Sequence, residues 1–482
     1  MSNAMLAVRN APIARGSRAR TVSVPWALAS LCLAMLMPSL DTSVANAGLP
    51  AMAEAFGASF QDVQWIVLTY LLAITTLIVS AGRLGDTLGR RPLFLAGITI
   101  FTVASLLCGV APTLGLLLVA RAVQGIGAAI MMALAVAIVG DTVPKEQTGR
   151  AMGLLGTMSA AGTTLGPSLG GLLITWLGWS TIFLVNVPVG MLTIALAYRH
   201  VPLDRQRSGV ERPGFDIVGT WLLALTLAAY ALAMTLGGGH FGALNAVLLS
   251  AAACGVALFV LVETRTASPL IRVAIFRDPV LGPGLAMSAL VSTVVMSTLV
   301  VGPFYLARAL GLSAVSVGLV LSTGPLVAAL TGVLAGRIVD RVGANRMTVA
   351  GLVGMTCGAS ALFMLPATFG VIGYVAPIVV MTASYALFQA ANNTVIMTAV
   401  GPDQRGVVAG MLGLSRNLGL ITGASFMGAV FTLASTSVDI AAARPEAVAS
   451  GMRFTFGVAA ILIVVALAIA ARSRTPTTRH SR

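Results

Sequence analysis

The sequence predicts an all-α membrane protein in which fourteen transmembrane helices form two six-helix bundles and an inserted pair. Apolar stretches of about 20 residues recur along the chain, and each is long enough to cross a bilayer as a helix. Charged residues make up only 9% of the chain and fall mainly between these stretches. Two segments of the first half also recur in the second half at a nearly constant offset.

The predicted spans follow one another with short connections. They cover residues 24–47, 62–82, 93–111, 113–140, 149–176, 180–198, 216–236, 243–264, 281–309, 314–335, 346–366, 371–398, 406–433 and 453–472. The even number of crossings places both termini on the same side of the membrane.

The basic residues indicate which side that is. They lie in the N-terminal segment, after the even-numbered spans and in the C-terminal tail, whereas the opposite connections hold only Arg308, Arg444 and Arg453. Connections rich in Lys and Arg face the cytoplasm, so both termini are expected in the cytoplasm, with the chain in the bacterial inner membrane. The basic connections are expected to contact anionic lipid head groups. The net charge of +14 does not predict nucleic-acid binding, because no single basic patch collects it.

The internal repeat defines the organisation of the chain. Residues 147–171 match 404–428 at an offset of 257, through one glutamine and six glycines, and residues 82–89 match 336–343 at an offset of 254. Two halves of the same orientation are a transporter architecture with the substrate site between them. The predicted units, in a chain expected to be monomeric, are a cytoplasmic segment (1–23), a first bundle (24–198), linkers with two inserted helices (199–280), a second bundle (281–472) and a cytoplasmic tail (473–482).

Five motifs resemble those of the major facilitator superfamily and, within it, the fourteen-helix branch of drug–proton antiporters. They are LDTSVANAGLP at 40–50, GRLGDTLGRRP at 82–92, RAVQGIG at 121–127, GTTLGPSLGG at 162–171 and WSTIFLVNVPVG at 179–190. The resemblance implies the major facilitator fold, with pseudo-twofold symmetry between the bundles. It also implies multidrug efflux by alternating access, driven by the proton gradient with no cofactor.

The expected substrates are small, amphipathic, and neutral or monocationic. One alternative is an exporter with narrow specificity for a metabolite or an antibiotic, and another is a membrane receptor or scaffold that transports nothing. An enzyme is not expected, because the spans contain no nucleophile–base set and no metal-binding cluster. The chain also lacks a phosphate-binding GxxxxGK loop followed by Ser or Thr.

Asp41 is the candidate proton carrier, because it alone among the carboxylates falls well within a span. A carboxylate inside a membrane is costly and usually functional. At about 1.5 Å per residue, Asp41 lies roughly 10 Å from the outer end of its span and Arg121 roughly 12 Å from the outer end of span 4. We therefore expect the two to meet, directly or through Gln124 or water, and to couple proton and substrate. The alternative is an ion pair that only holds spans 1 and 4 together.

Three further sets of residues are candidates for function. Polar residues inside spans need partners and predict a cavity wall: Trp65, Tyr70, Gln124, Tyr385, Gln389, Asn392, Asn393 and Arg416. The resemblance implies a gating loop between spans 2 and 3 and its repeat: Gly82, Arg83, Asp86, Gly89, Arg90, Arg91, Arg337 and Asp340. It also implies an antiporter motif that packs against the other half: Gly162, Gly166, Pro167, Gly170 and Gly171. For the cavity and antiporter sets, ordinary helix packing is the alternative. The arginines of the loop also hold that loop on the cytoplasmic side.

Overall fold

The described part of the protein is α-helical. A computed structural model describes residues 23–143, 148–202, 216–236, 242–266, 269, 277–364, 366–400, 405–435 and 443–473. The helices are α1 (Val24–Phe56), α2 (Phe60–Leu88), α3 (Arg90–Gly109), α4 (Leu114–Thr142), α5 (Thr148–Leu177), α6 (Thr181–Leu184), α7 (Asn186–His200), α8 (Ile217–Thr235), α9 (Ala243–Arg265), α10 (Leu281–Phe304), α11 (Ala314–Val342), α12 (Ala344–Met364), α13 (Gly370–Thr398), α14 (Arg405–Thr422), α15 (Gly428–Ala434) and α16 (Pro445–Arg472). Single π-helical turns, Tyr305–Ala309 and Gly423–Met427, follow α10 and α14.

Within this described part, 13 helical stretches are long and apolar enough to cross a membrane. Helices α6 and α7 form one such stretch, and α14, its π turn and α15 contribute to another. The remaining predicted span, the fifth in chain order, is helix α5. It has 30 residues, and it is absent from the thirteen because glycine, serine and threonine lower its hydropathy.

The segment predicted as a loop between spans 2 and 3 is largely helical, so that prediction was wrong. Helix α2 continues to Leu88, and α3 begins at Arg90. Gly89 alone separates them, with φ 98° and ψ 135°. A residue other than glycine rarely adopts this backbone conformation, so Gly89 alone forms the reversal of the chain between α2 and α3.

The geometry of α2 recurs in α11, which the sequence repeat relates to it. Both helices have 29 residues and begin after a serine, Ser59 or Ser313, whose side chain accepts a backbone N–H of the first turn. Gly343 ends α11 with φ 99° and ψ 135°, nearly the angles of Gly89. The repeat at offset 254 is therefore a repeat of structure as well as of sequence.

Helix packing follows the same repeat. In the first bundle α1 packs on α5 and α7, α4 on α2 and α3, and α3 on α7; in the second bundle α10 packs on α14 and α16, α13 on α11 and α12, and α12 on α16. Each pair of the first bundle therefore has its counterpart in the second. Helices α8 and α9 pack on each other, and α8 also packs on α2.

The bundles meet along two seams, and α1 also packs on α10. We call the contact of α5 with α11 the α5–α11 seam, and the contact of α2 with α14, its π turn and α15 the α2–α14 seam. The end of the molecule that carries Gly89 is here the arginine-rich end, and the opposite end is the arginine-poor end. Near the arginine-poor end both seams are closed. The Gln64 side chain donates to the Ala424 carbonyl at 3.0 Å, and a Cβ built on Gly171 would lie 2.7 Å from the Ala314 carbonyl oxygen.

Towards the arginine-rich end the seams separate. Gly318 of α11 belongs to the closed α5–α11 contact. Gly336 lies five turns of about 3.6 residues farther along α11, so it is on the same face of that helix. By the same helical phase Gly156 faces this seam, while Gly82 and Gly413 face the α2–α14 seam. A Cβ built on any of these four glycines meets no described atom within 4 Å. Among the described residues, the bundles therefore lie apart at the arginine-rich end.

Candidate functional site: a buried charge cluster in the first bundle

Asp41 lies in α1, three residues after Pro38. Proline has no N–H to donate to the carbonyl one turn earlier, so α1 carries a local break in its hydrogen bonding at this depth. The Pro38 carbonyl accepts from the Thr42 hydroxyl at 2.8 Å and from the Tyr70 hydroxyl at 3.3 Å. The Asp41 side chain is 1% exposed, so it can remain charged only if the protein itself supplies its partners.

Arg121 of α4 is the first of these partners. Its Nη1 donates to Oδ2 of Asp41 and forms a buried ion pair. Its Nε donates to the Ile66 carbonyl at 2.9 Å, and its guanidinium lies 4.2 Å from the centre of the Tyr70 ring and 5.5 Å from that of Phe183. Aromatic faces attract a cation, so α2 and α6 help to hold Arg121 against α1. The expected meeting of Asp41 and Arg121 is present.

Two side-chain amides complete the coordination of Asp41. Gln124 and Asn186 each donate to Oδ1 at 2.8 Å. Gln124 also accepts from Arg121 at 2.6 Å and donates to the Ser105 hydroxyl at 2.8 Å. Helices α1, α3, α4 and α7 therefore contribute to one polar cluster, which we call the Asp41 cluster and define as Asp41, Arg121, Gln124 and Asn186.

Asn186 was not among the predicted site residues. Pro188 cannot donate to the Leu184 carbonyl, and the helix is interrupted at Val185 between α6 and α7. Asn186 is the first residue of α7 and is completely buried. An asparagine inside an apolar span, two residues before a proline, was the available signal, because an amide at that depth needs a partner.

The Asp41 cluster lies within the first bundle and not at a seam. Its member Asn186 belongs to α7 and its neighbour Ser105 belongs to α3, and both helices pack on helices of their own half. All three donors form hydrogen bonds with the Asp41 carboxyl group. A proton that bound Asp41 would compete with Arg121 for Oδ2, so protonation and release of the guanidinium are chemically linked. Nη2 of Arg121 is buried and has no hydrogen-bond partner among the described residues.

The predicted cavity residues fall into two groups. Tyr385, Gln389 and Asn393 on α13 and Arg416 on α14 are partly exposed, as a wall residue requires. Asn392 is buried and donates to the Gly284 carbonyl at 3.1 Å, so it joins α13 to α10.

Three other cavity predictions do not fit their positions in this structure. Tyr70 and Gln124 are completely buried in and beside the Asp41 cluster. Trp65 is only partly buried, but it donates to the Thr235 hydroxyl of α8 at 3.1 Å. Each of these side chains satisfies its polar group within the protein, which leaves it no donor or acceptor facing the space between the bundles.

The glycines of the antiporter motif face mainly their own half, which corrects the expectation drawn from the resemblance. A Cβ on Gly162 would lie 2.6 Å from the Leu36 carbonyl oxygen of α1, and Gly166 and Gly170 also face α1. Gly171 is the member that faces α11. The Pro167 carbonyl also reaches α11, at Gly318. The small residues therefore hold α5 close to α1 and let only its arginine-poor end approach the second bundle.

Two arginines of the predicted gate, Arg90 and Arg91, also bind their own half. Arg90 donates to the Ala137 carbonyl of α4 at 3.2 Å. Arg91 donates to the Tyr198 carbonyl of α7 and lies 5.6 Å from the centre of the Tyr198 ring. Arg337 and Asp340 are exposed on α11, and the side chains of Arg83 and Asp86 lie outside the described residues. In this conformation Arg90 and Arg91 hold the α2–α3 reversal against α4 and α7 of the first bundle.

Two repeated helical bundles that close on each other at one end and separate at the other define a polytopic membrane transporter. The chain belongs to the Major Facilitator Superfamily, whose family model matches residues 31–424.

Three relatives illustrate the range of this similarity. The chain is 31% identical to the uncharacterized transporter YebQ of Escherichia coli, over 89% of this chain and 95% of that protein. It is 32% identical to the multidrug resistance protein Stp of Mycobacterium tuberculosis, over 83% and 74%. It is 29% identical to the riboflavin transporter RibZ of Clostridioides difficile, over 84% and 88%.

Solved structures share the fold at lower identity. The crystal structure of a bacterial homologue of the human lysosomal transporter Spinster, inward-facing and unoccupied, superposes with a TM-score of 0.66 and 18% identity. The match covers 95% of this chain and 98% of that one. Family and fold together make the protein a transporter and not an enzyme.

Proposed function

We propose that the protein exports small amphipathic compounds, neutral or monocationic, across the bacterial inner membrane in exchange for protons. The observation that carries this proposal is the ion pair of Asp41 and Arg121, buried in a bundle that crosses the membrane. An ionised pair at such a site costs several kcal/mol of desolvation, and apolar packing would often serve stability equally well. A titratable carboxylate at that depth is the group that proton coupling requires.

Proton binding would act through α1. A proton on Asp41 removes the acceptor of Arg121 and loosens the link between α1 and α4. Helix α1 is joined to α5 by the contact of Ser39 with Ser159 at 2.6 Å and by the Ser43 hydroxyl, which donates to the Thr163 carbonyl at 2.9 Å. Since α5 borders a seam, a shift of α1 is transmitted to the contact between the bundles. The cluster thus affects the seam without contacting substrate.

The proton gradient is sufficient to drive export. Asp41, the carboxylate that falls well within a predicted span, predicts one proton per cycle, and each charge that moves through 100 mV gains about 2.3 kcal/mol. A total driving force of roughly 150 mV would support about a few-hundredfold gradient of a neutral substrate. This stoichiometry favours neutral and monocationic substrates over dications.

The conformation supports loading from the cytoplasm. The positive-inside rule assigns the arginine-rich end to the cytoplasm, and the space between the bundles opens at that end. Tyr385, Gln389, Asn393 and Arg416 are the partly exposed polar residues that we assign to the substrate cavity. The exporter would collect substrate here and release it after the arginine-poor ends separate.

A narrow-specificity metabolite transporter is the second candidate, because RibZ, whose name states riboflavin transport, matches most of this chain. Competition distinguishes the two functions. A multidrug exporter is inhibited by structurally unrelated amphipathic compounds, whereas a dedicated transporter is inhibited only by close analogues of one compound.

Purified protein in liposomes with an imposed pH gradient tests the proposal. We expect wild type to accumulate ethidium against its gradient and to release protons when ethidium is added in detergent. Asp41→Asn should lose both properties, and Glu54→Gln, which changes an exposed carboxylate of the same helix, should keep both. If a broad substrate panel releases no protons from wild type, the protein is a receptor, a scaffold or an uncoupled carrier.

A further inference from the structure

The insert makes the two seams unequal. Helix α8 lies along α2 and is bonded to it near both ends. The Trp65 side chain donates to the Thr235 hydroxyl at 3.1 Å, and the hydroxyls of Ser80 and Thr220 lie 3.0 Å apart. Ser80 lies about four turns beyond Trp65 on α2. Helix α8 therefore follows α2 across most of the membrane.

Helix α8 also reaches the second bundle. The Tyr230 side chain lies against Thr422 and Ser425, at the π turn between α14 and α15. Helix α8 packs on that turn and on α15 as well as on α2. It therefore bridges the α2–α14 seam at the surface of the molecule.

The equivalent surface of α11 is lipid-accessible and apolar. At offset 254 the α2 residues Trp65, Leu72, Thr76 and Ser80 correspond to Leu319, Leu326, Leu330 and Leu334. Thr76 and Ser80 are buried, whereas the four leucines are exposed by 57%, 51%, 65% and 54%. The polar positions on α2 suit a neighbouring protein helix, while leucines at the same positions suit acyl chains. The sequence repeat between α2 and α11 is therefore lost at the positions where α8 covers α2.

We propose that the insert closes one of two symmetry-related side entrances, so that amphipathic substrate passes from the bilayer to the cavity through the α5–α11 seam. This rests on the proposed function, because only a membrane-dissolved substrate needs a side entrance. Amphipathic molecules concentrate in the boundary region of the bilayer. The arginine-rich part of the α5–α11 seam opens there beside exposed leucines of α11.

A matched pair of substitutions tests the entrance. Gly156 on α5 and Gly413 on α14 are equivalent at offset 257, and neither has a described atom within 4 Å of a built Cβ. A side chain at either place therefore starts in space that no described atom occupies. Gly156→Trp should slow ethidium transport severalfold, and Gly413→Trp should leave it close to wild type. Equal inhibition by both would show that each only obstructs closure of the bundles, and it would overturn the proposal.

Fluorescence quenching decides the geometry without transport. In liposomes of brominated phosphatidylcholine, the tryptophan added by Gly156→Trp should be quenched strongly and that added by Gly413→Trp weakly, because α8 shields it. The signal of the five native tryptophans is subtracted with wild type. Equal quenching of the two added tryptophans would refute the proposal that α8 shields the α2–α14 seam from lipid. If wild type moves neither ethidium nor any other compound of a broad amphipathic panel, the proposed function fails, while quenching still decides which seam faces lipid.

Discussion

Asn186 donates its side-chain amide to Oδ1 of Asp41 at 2.8 Å, across the interface of α7 and α1. This bond places a helix from the periphery of the first bundle in direct contact with the candidate proton carrier. Together with Gln124 and Arg121 it satisfies both oxygens of the carboxylate. The Asp41 cluster is therefore a preorganised site for a negative charge, and its members can be tested one by one.

Removal of Asp41 alone should destabilise the protein, because Arg121 would be left as an uncompensated buried cation. Breaking a buried pair costs about 3–5 kcal/mol, whereas replacing both partners is often neutral. We expect Asp41→Asn to lower the thermal unfolding temperature in detergent and the double variant Asp41→Asn, Arg121→Gln to recover most of it. Neither variant should couple transport to protons.

The double variant separates the two roles of the pair. If it recovers stability and also proton-coupled transport, the pair only holds α1 to α4 and the proton carrier lies elsewhere. If it recovers stability without transport, the pair is needed for coupling.

Asn186→Leu should cost about 1–3 kcal/mol of stability, the typical penalty when a buried polar group loses its partner. Its transport should fall, because Asp41 would lose one of the donors that hold it. Asn393→Leu, a change to a partly exposed asparagine of α13, is the control for stability. Thermal unfolding and proteoliposome transport measure the two effects. Wild-type stability in Asn186→Leu would show that the amide bond contributes little.

The sequence predicted features that depend on composition and periodicity. Apolar length located the spans, and the nearly equal offsets of 254 from Gly82 to Gly336 and of 257 from Gly162 to Gly419 revealed the two halves. The helical rise along spans 1 and 4 predicted that Asp41 and Arg121 lie at the same depth and meet. These inferences succeed because hydrophobic thickness and helical rise are fixed by the bilayer and the backbone.

Other features depend on which way a helix face turns, and the sequence did not determine that. The glycines of α5 were expected to face the other half, yet Gly162 and Gly166 face α1. A smooth stripe predicts close approach of some helix but does not say which one. Asn186 was missed because its role depends on the break at Val185 and on three helices that are distant in sequence.

Gly162→Ala should reduce the yield of folded protein, because its Cβ would lie 2.6 Å from the Leu36 carbonyl oxygen and 2.9 Å from the Leu40 nitrogen. Backbone atoms cannot move aside as a flexible side chain can, so α1 and α5 must separate. Gly156→Ala on the same helix meets no described atom within 4 Å and should be neutral or stabilising by up to about 1 kcal/mol. Size-exclusion chromatography of a fluorescent fusion measures both. Equal yields would contradict the close packing of α5 on α1.

Ser80→Cys with Thr220→Cys should form a disulfide that leaves transport intact, because α8 and α2 are expected to move as one body. The two hydroxyls lie 3.0 Å apart, which favours the short Cβ separation that a disulfide requires. Tyr230→Cys with Ser425→Cys is the matched contrast, since it joins α8 to the second bundle. The contact is made by the tip of the tyrosine, which leaves the two Cβ atoms beyond the reach of a disulfide, so this pair is joined by a reducible bis-methanethiosulfonate cross-linker. Cross-linking should stop transport there, and reduction should restore it. Both pairs are built in a background without the native cysteines and assayed in proteoliposomes. A reversible loss of transport in the first pair would mean that α8 leaves α2 during the cycle, and the insert would then be a moving gate, not a fixed cover.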